Sequence, residues 1–139
     1  MIYLDAAALI KMIREEDETA ELVTWLNARP GEQLVASALV EVEVPRALRR
    51  SEPGVLSAVA ATLARLVRIE IDAAVRATAA AYTDPYLRSL DAVQLATAEH
   101  LVSSGKPITA FVTYDKRLLA AAQEAGLPAS APGMAPSAG

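Results

Sequence analysis

The sequence predicts an α/β fold in which a short parallel sheet is covered by helices on both faces. Short, apolar, β-rich runs alternate with longer helical patterns from one end of the chain to the other. The runs are short and apolar, and residues 108–113 are nearly uncharged, as strands buried on both faces are. Residues suited to turns and caps mark most changes of pattern. The 139 residues amount to one domain's worth of chain, with neither an internal repeat nor a linker in the middle.

Residues 2–4 (Ile-Tyr-Leu) form the first strand and end at Asp5. A helix follows with Leu9, Ile10 and Ile13 on one face, and a second covers residues 17–28 with Leu22, Val23, Trp25 and Leu26 as its apolar stripe. Pro30-Gly31 closes it, and residues 33–36 read as the second strand. Ser37 is placed to cap a helix running to about Arg50; Pro45 inside it removes one backbone hydrogen bond and predicts a kink near Glu41. Pro53-Gly54 opens another helix to about Leu66, and Val67–Ile71 is the third strand candidate. Asp72 caps a helix to about Tyr82, and Asp84-Pro85 breaks it. Residues 89–103 are strongly helical and end at Gly105-Lys106-Pro107. Residues 108–113 are the clearest strand, 115–125 are helical with Gly126 as the C-cap, and 127–131 form a last edge strand. The folded domain is thus expected over 1–130, with a disordered tail of Ala, Pro, Ser and Gly over 131–139.

Composition removes several classes of function. With no Cys the chain has no disulfide, no Cys-ligated metal and no Cys nucleophile, and one His excludes a multi-His cage. Asp5 stands too early for the apolar region of a signal peptide, and no run of 18 apolar residues occurs, so a soluble, cytoplasmic protein without membrane contact is expected. A net charge of −4 argues against general coating of nucleic acid, although not against a local site on a polyanion.

Ligands of open parallel sheets bind beyond the carboxyl ends of the strands, which directs attention to acids placed there. Asp5 directly follows the first strand, and Asp115 follows the best strand two positions after Thr113. Alone, each would be read as a helix cap; together on neighbouring parallel strands they share one rim. Asp91 lies in the first turn of an apolar helix, where the helix dipole favours an acid, yet Leu90, Ala92 and Val93 suggest burial that calls for a cation. A fourth acid comes from the helix after the second strand, where Glu41 and Glu43 both sit beside apolar neighbours and periodicity does not choose between them.

The order of these motifs resembles the PIN-domain family and, within it, the VapC-type ribonuclease toxins. The resemblance is carried by Tyr3-Leu4-Asp5 with Ala8-Leu9-Ile10-Lys11, by Ser37 with Glu43 and Arg46-Ala47-Leu48-Arg49-Arg50, by residues 87–98 around Asp91, and by Phe111-Val112-Thr113-Tyr114-Asp115 with Arg117-Leu118. It selects Glu43 over Glu41 through the spacing to Arg46-Ala47-Leu48. Two positions depart from the pattern. Ala6-Ala7 stand where the family usually has hydroxyl residues, and Gln94 replaces a His often found three residues after the third acid.

The resemblance implies a three-layer α/β/α PIN-like domain and a Mg²⁺- or Mn²⁺-dependent endoribonuclease with Asp5, Glu43, Asp91 and Asp115 as catalytic residues. Asp5, Asp91 and Asp115 would be the metal ligands, and Glu43 would position or deprotonate the attacking water. It further implies a VapB-type antitoxin that covers the site and carries any contact with operator DNA, a homodimer, and a tRNA or rRNA substrate. The amphipathic stretches 17–28 and 54–66 are candidates for a partner groove, and Arg14, Arg46, Arg49, Arg50, Arg88, Lys116 and Arg117 flank the acidic motifs as candidate phosphate grips. Two other readings compete. A receiver-type phosphotransfer domain would need paired acids after the first strand and a Lys after a late one, but Ala6 follows Asp5 and no Lys ends the 108–113 run. A catalytically weak or inactive PIN-fold protein that only binds an antitoxin or RNA would have no need of all four acids.

Overall fold

The computed structural model describes residues 1–135. Five strands, Ile2–Leu4 (β1), Leu34–Ser37 (β2), Val67–Ile69 (β3), Ala110–Val112 (β4) and Ala129–Ser130 (β5), form one parallel sheet in the order β3-β2-β1-β4-β5. The connections are helical. Ala6–Ile13 (α1) and Thr19–Asn27 (α2) join β1 to β2; Val40–Ser51 (α3), a 3₁₀ stretch Pro53–Ala58 and Val59–Ala64 (α4) join β2 to β3; Ala73–Ala81 (α5) and Ser89–Ser103 (α6) join β3 to β4; and Lys116–Glu124 (α7) joins β4 to β5. Every crossover is long enough to return a parallel strand.

The two faces of the sheet feed two cores. Ile2, Leu4, Ala36, Ala110 and Val112 point to one face and pack with Leu9 of α1, Leu22 of α2, Val40, Val44 and Leu48 of α3 and Leu63 of α4. The intervening Tyr3, Val35 and Phe111 point to the other and pack with Leu95, Ala98 and Leu101 of α6 and Leu118 and Ala122 of α7. Tyr3 and Phe111 stack across β1 and β4 with centroids 4.9 Å apart. The period-2 alternation of buried residues on both faces accounts for the apolar β1, β2 and β4, while β3, with Arg68, is a largely exposed edge, and the arrangement gives the three-layer α/β/α architecture.

Local chemistry places the ends of the elements. Asp5, Asp72 and Asp115 cap α1, α5 and α7 by accepting from the backbone N–H groups of Ala8, Val75 and Leu118, each at 2.9 Å. Gly105 and Gly126 take the left-handed conformation that ends α6 and α7. The structure differs from the sequence reading in detail. Val23 lies on the outer side of α2 rather than in its apolar stripe. Ser37 ends β2, and its hydroxyl accepts from Leu39 N just before α3 begins. The 54–66 stretch is 3₁₀ before it is α-helical. Helix α3 continues through Pro45, which lies in its second turn and has no N–H to donate to the Glu41 carbonyl.

Of the tail expected over 131–139, residues 136–139 lie outside the described residues. In residues 131–135, the Tyr114 hydroxyl donates to Pro132 O at 2.8 Å, and Gly133 at φ +87 lies so close to Glu21 of α2 that an added Cβ would come within 2.7 Å of its side chain. Among the described residues no helix is long and apolar enough to cross a membrane.

The packing sets a direct contrast within α3. Leu48 is fully buried in the core that α3 shares with α1 and α4, whereas Val42 is 55% exposed. Leu48→Ala should cost about 2–5 kcal/mol of unfolding free energy and Val42→Ala no more than about 0.5, measured by urea denaturation.

Candidate active site

Strand order reverses between β1 and β4, so the crevice of this sheet opens beyond the carboxyl ends of those two strands. Asp5 and Asp115 are the acids at those ends. Asp91 reaches the same crevice from the first turn of α6 and Glu43 from the first turn of α3. All four line one open cleft of about 440 Å³, with Ala6, Ala7, Ile10, Ala47 and Leu90 supplying an apolar lining and Arg46 and Arg50 a basic flank.

Asp5 is the innermost, with 4% of its surface exposed. One oxygen accepts from Ala8 N at 2.9 Å and the other accepts from the Thr113 hydroxyl, while among the described residues no Lys or Arg forms an ion pair with it. Burial therefore pushes its carboxyl up from 3.8 to about 7; the two hydrogen bonds oppose this, and the charges of Glu43 and Asp91 reinforce it. Fully buried Thr113 also accepts from Asp115 N at 3.1 Å, so one hydroxyl ties together the two acids that end β1 and β4. The turn after β1 carries no hydroxyl at Ala6 or Ala7, and a hydroxyl reaches Asp5 from β4 instead. In the sequence Thr113 is visible only as part of a motif, because its partner lies 108 residues away.

The outer acids are linked differently. Arg88 donates to Asp115 Oδ2 at 3.1 Å and approaches Asp91 Oδ2 at 3.4 Å, but its side chain is 67% exposed, so water screens both pairs. Burial and the Asp115 charge raise the carboxyl of Asp91, with Arg88 opposing. Half-buried Glu43 is raised by burial and by the Asp91 charge, and the Gln94 amide, donating at 2.9 Å, opposes both. Glu41 faces elsewhere: it pairs with Arg68 at 3.7 Å and lines a separate cleft with Pro45 and Arg49.

The basic candidates divide in the same way. Arg46 and Arg50 stand three and seven residues after Glu43 on the same side of α3, and among the described residues neither has a carboxylate partner. Arg14 is tied to Glu16 and Ser51. Trp25 stacks under Arg29 at 3.9 Å on α2, and neither it nor His100 lines the acidic cleft. Among the described residues no group of three or more His, Asp or Glu side chains is placed so that it could hold a metal ion without rearrangement. What the cleft offers is carboxylate oxygens that repel one another, buried at Asp5 and partly exposed at Asp91 and Asp115.

Asp5 carries a pH signature. A carboxyl raised from 3.8 to about 7 holds a proton in the folded chain that the unfolded chain releases, so its contribution to stability is present below about 4 and is lost as pH rises through about 7. In the presence of chelator, Tm should fall over that window, and Asp5→Asn, which has no charge to bury, should flatten the fall. Scanning fluorimetry of both proteins from about pH 4 to 8 reads the difference; equal slopes would contradict the assignment.

Comparison with known proteins agrees with this architecture. The profile of the PIN domain matches residues 2–124. Ribonuclease VapC35 of Mycobacterium tuberculosis is 53% identical over 135 residues, covering 97% of this chain and 99% of the relative. Ribonuclease VapC47 of the same species is 39% identical over 136 residues, covering 96% and 98%. Among solved structures, M. tuberculosis VapC20, a Sarcin-Ricin loop cleaving toxin, aligns with a TM-score of 0.69 at 16% identity over 98% of this chain and all of that one. A toxin–antitoxin complex from Klebsiella pneumoniae contains a chain that aligns with a TM-score of 0.67 at 21% identity, covering 86% and 91%. The family profile spans most of the chain and the identity to VapC35 runs nearly end to end: the chain belongs to the PIN domain family, as a member of the VapC type.

Proposed function

We propose that this protein is a Mg²⁺- or Mn²⁺-dependent endoribonuclease and the toxin of a toxin–antitoxin pair. The observation that carries the reading is the convergence of Asp5, Glu43, Asp91 and Asp115, from four separate elements, on one cleft at the switch point of the sheet. The names of the relatives, ribonucleases VapC, support the same activity.

The donor set fits a hard divalent cation. The acidic groups of the cleft are all carboxylates, and burial and mutual repulsion raise the carboxyls of Asp5, Glu43 and Asp91. Mg²⁺ is commonly held by one or two carboxylates with water completing its shell. Asp5, Asp91 and Asp115 would hold it, with Arg88 yielding its two exposed pairings. When bound, such an ion supplies a more acidic water and offsets charge at the scissile phosphate. Glu43 lies on the facing helix and accepts the proton of the attacking water. Arg46 and Arg50, on the same side of α3, grip phosphates flanking the cut, which reconciles an acidic protein with an anionic substrate. An antitoxin of the VapB type covers this cleft.

Removing a charge at Asp91 and at Glu43 should have different effects. Asp91→Asn should weaken Mn²⁺ binding and abolish cleavage. Glu43→Gln should keep most of the metal affinity and reduce the rate by about 10²–10⁴, as expected when a general base is removed. Calorimetric Mn²⁺ titrations beside an RNA cleavage assay separate the two; full cleavage by either variant, or wild-type cleavage that persists in chelator, would overturn the reading. Wild-type protein that binds antitoxin and RNA without cutting would favour the purely binding alternative.

Arg46 and Arg50 are testable through salt. An arginine that grips one phosphate of a single strand adds about 0.7 to the slope of log affinity against log salt, so its removal should flatten the slope by that amount. Arg46→Ala and Arg50→Ala should therefore raise KM for RNA and weaken its salt dependence while leaving kcat near wild type, measured by cleavage kinetics between about 50 and 200 mM salt.

A further inference from the structure

One buried polar group beside the cleft is not used by the mechanism above. Gln94 lies on α6 one turn after Asp91 and is 2% exposed. Its Oε1 accepts from the Tyr3 hydroxyl at 2.6 Å and its Nε2 donates to Glu43 Oε1 at 2.9 Å. The hydrogen-bond chain therefore runs from β1 through α6 to α3, joining residues 91 and 51 positions apart in sequence.

The direction of this chain is fixed by chemistry. An ionised carboxylate only accepts hydrogen bonds, so the amide must turn its NH₂ toward Glu43 and its carbonyl toward Tyr3. The carbonyl in turn requires the Tyr3 hydroxyl to donate. Tyr3 cannot turn away, because it is fully buried and its ring is stacked on Phe111 with the planes 2° from parallel. A rigid anchor on the central strand thus sets the orientation of the amide, and the amide sets the carboxylate of a long, rotamer-rich side chain that is costly to hold in one conformer.

We infer that Gln94, held by Tyr3, is the positioning residue for Glu43. It holds the carboxylate toward the cleft in the conformer that receives the proton of the attacking water, and it acts only through Glu43. The inference rests on the nuclease reading for the catalytic meaning of Glu43; the hydrogen-bond chain itself does not.

The test has a kinetic and a spectroscopic arm. Gln94→Leu removes the donor at similar size, Gln94→Met removes it with an unbranched side chain of matching length, and Tyr3→Phe keeps the stacked ring but removes the hydroxyl that orients the amide. Each should lower kcat, by about tenfold or more for the two Gln94 variants, with KM for RNA and Mn²⁺ affinity near wild type. In a Glu43→Gln background the same substitutions should have little further effect, because a residue that acts through another is not additive with it. A Gln94→Leu effect that is equally large in both backgrounds, or an unchanged kcat in a single variant that melts as wild type does, would overturn the inference.

The spectroscopic arm needs no activity. The chain has four carboxamide side chains, Asn27, Gln33, Gln94 and Gln123, and of these only Gln94 is buried. In ¹⁵N–¹H spectra of the metal-free protein, one side-chain amide should exchange slowly, and it should be the one that shifts most in Glu43→Gln and in Tyr3→Phe. Four amides that exchange alike, or a Gln94 signal indifferent to both substitutions, would show that the hydrogen bond is not made. Wild-type protein that cleaves no RNA would instead overturn the nuclease reading, and with it the catalytic role of the chain, while the spectra still decide the hydrogen bond.

Discussion

The carboxylate of Asp5 is almost entirely withdrawn from water, and neither Lys nor Arg pairs with it among the described residues. Such a group is costly in a folded chain. It is tolerated because its position is over-determined. The backbone of Asp5 bonds to Val112 on the neighbouring strand, its side chain caps α1, and Thr113 donates to it from the end of β4. The central strand that carries it has no exposed residue. The rest of the site is arranged around that fixed point, since Asp115 hangs from the same threonine and Asp91 and Glu43 add charges that Asp5 feels through the cleft.

Helix α3 distributes its side chains over three environments. Val40, Val44 and Leu48 recur at four-residue intervals and enter the core. Glu43, Arg46 and Arg50 follow one another along the cleft, and Glu41 and Arg49 face a separate hollow beside Arg68. The apolar stripe thus fixes the rotation of the helix, and that rotation decides which acid and which arginines meet the substrate side. Changing the stripe would change the chemistry without touching a charged residue.

Much of this is legible in the sequence. Alternation of helices with short apolar strands points to the parallel sheet, and the rule that ligands lie beyond strand ends leads to Asp5 and Asp115. The choice between Glu41 and Glu43 is not legible from periodicity, because Val40, Val42 and Val44 surround both and only two of the three valines are buried. The Glu41–Arg68 pair, which spans α3 and β3, separates them in space. The hydrogen-bond partners of Thr113 and Gln94 are also hidden. They lie 108, 91 and 51 residues away, and no local pattern encodes a hydrogen bond between elements that only the folded chain brings together.

The shortness of the outer strands has a bearing on how other molecules can engage this one. The sheet ends in β3 with three residues on one side and β5 with two on the other. An edge that short presents too few backbone groups to template an added strand, a device by which sheet proteins avoid indiscriminate pairing. Strand addition is thereby disfavoured at both margins. The broader surfaces this fold offers a second chain are the helical layers and the mouth of the cleft.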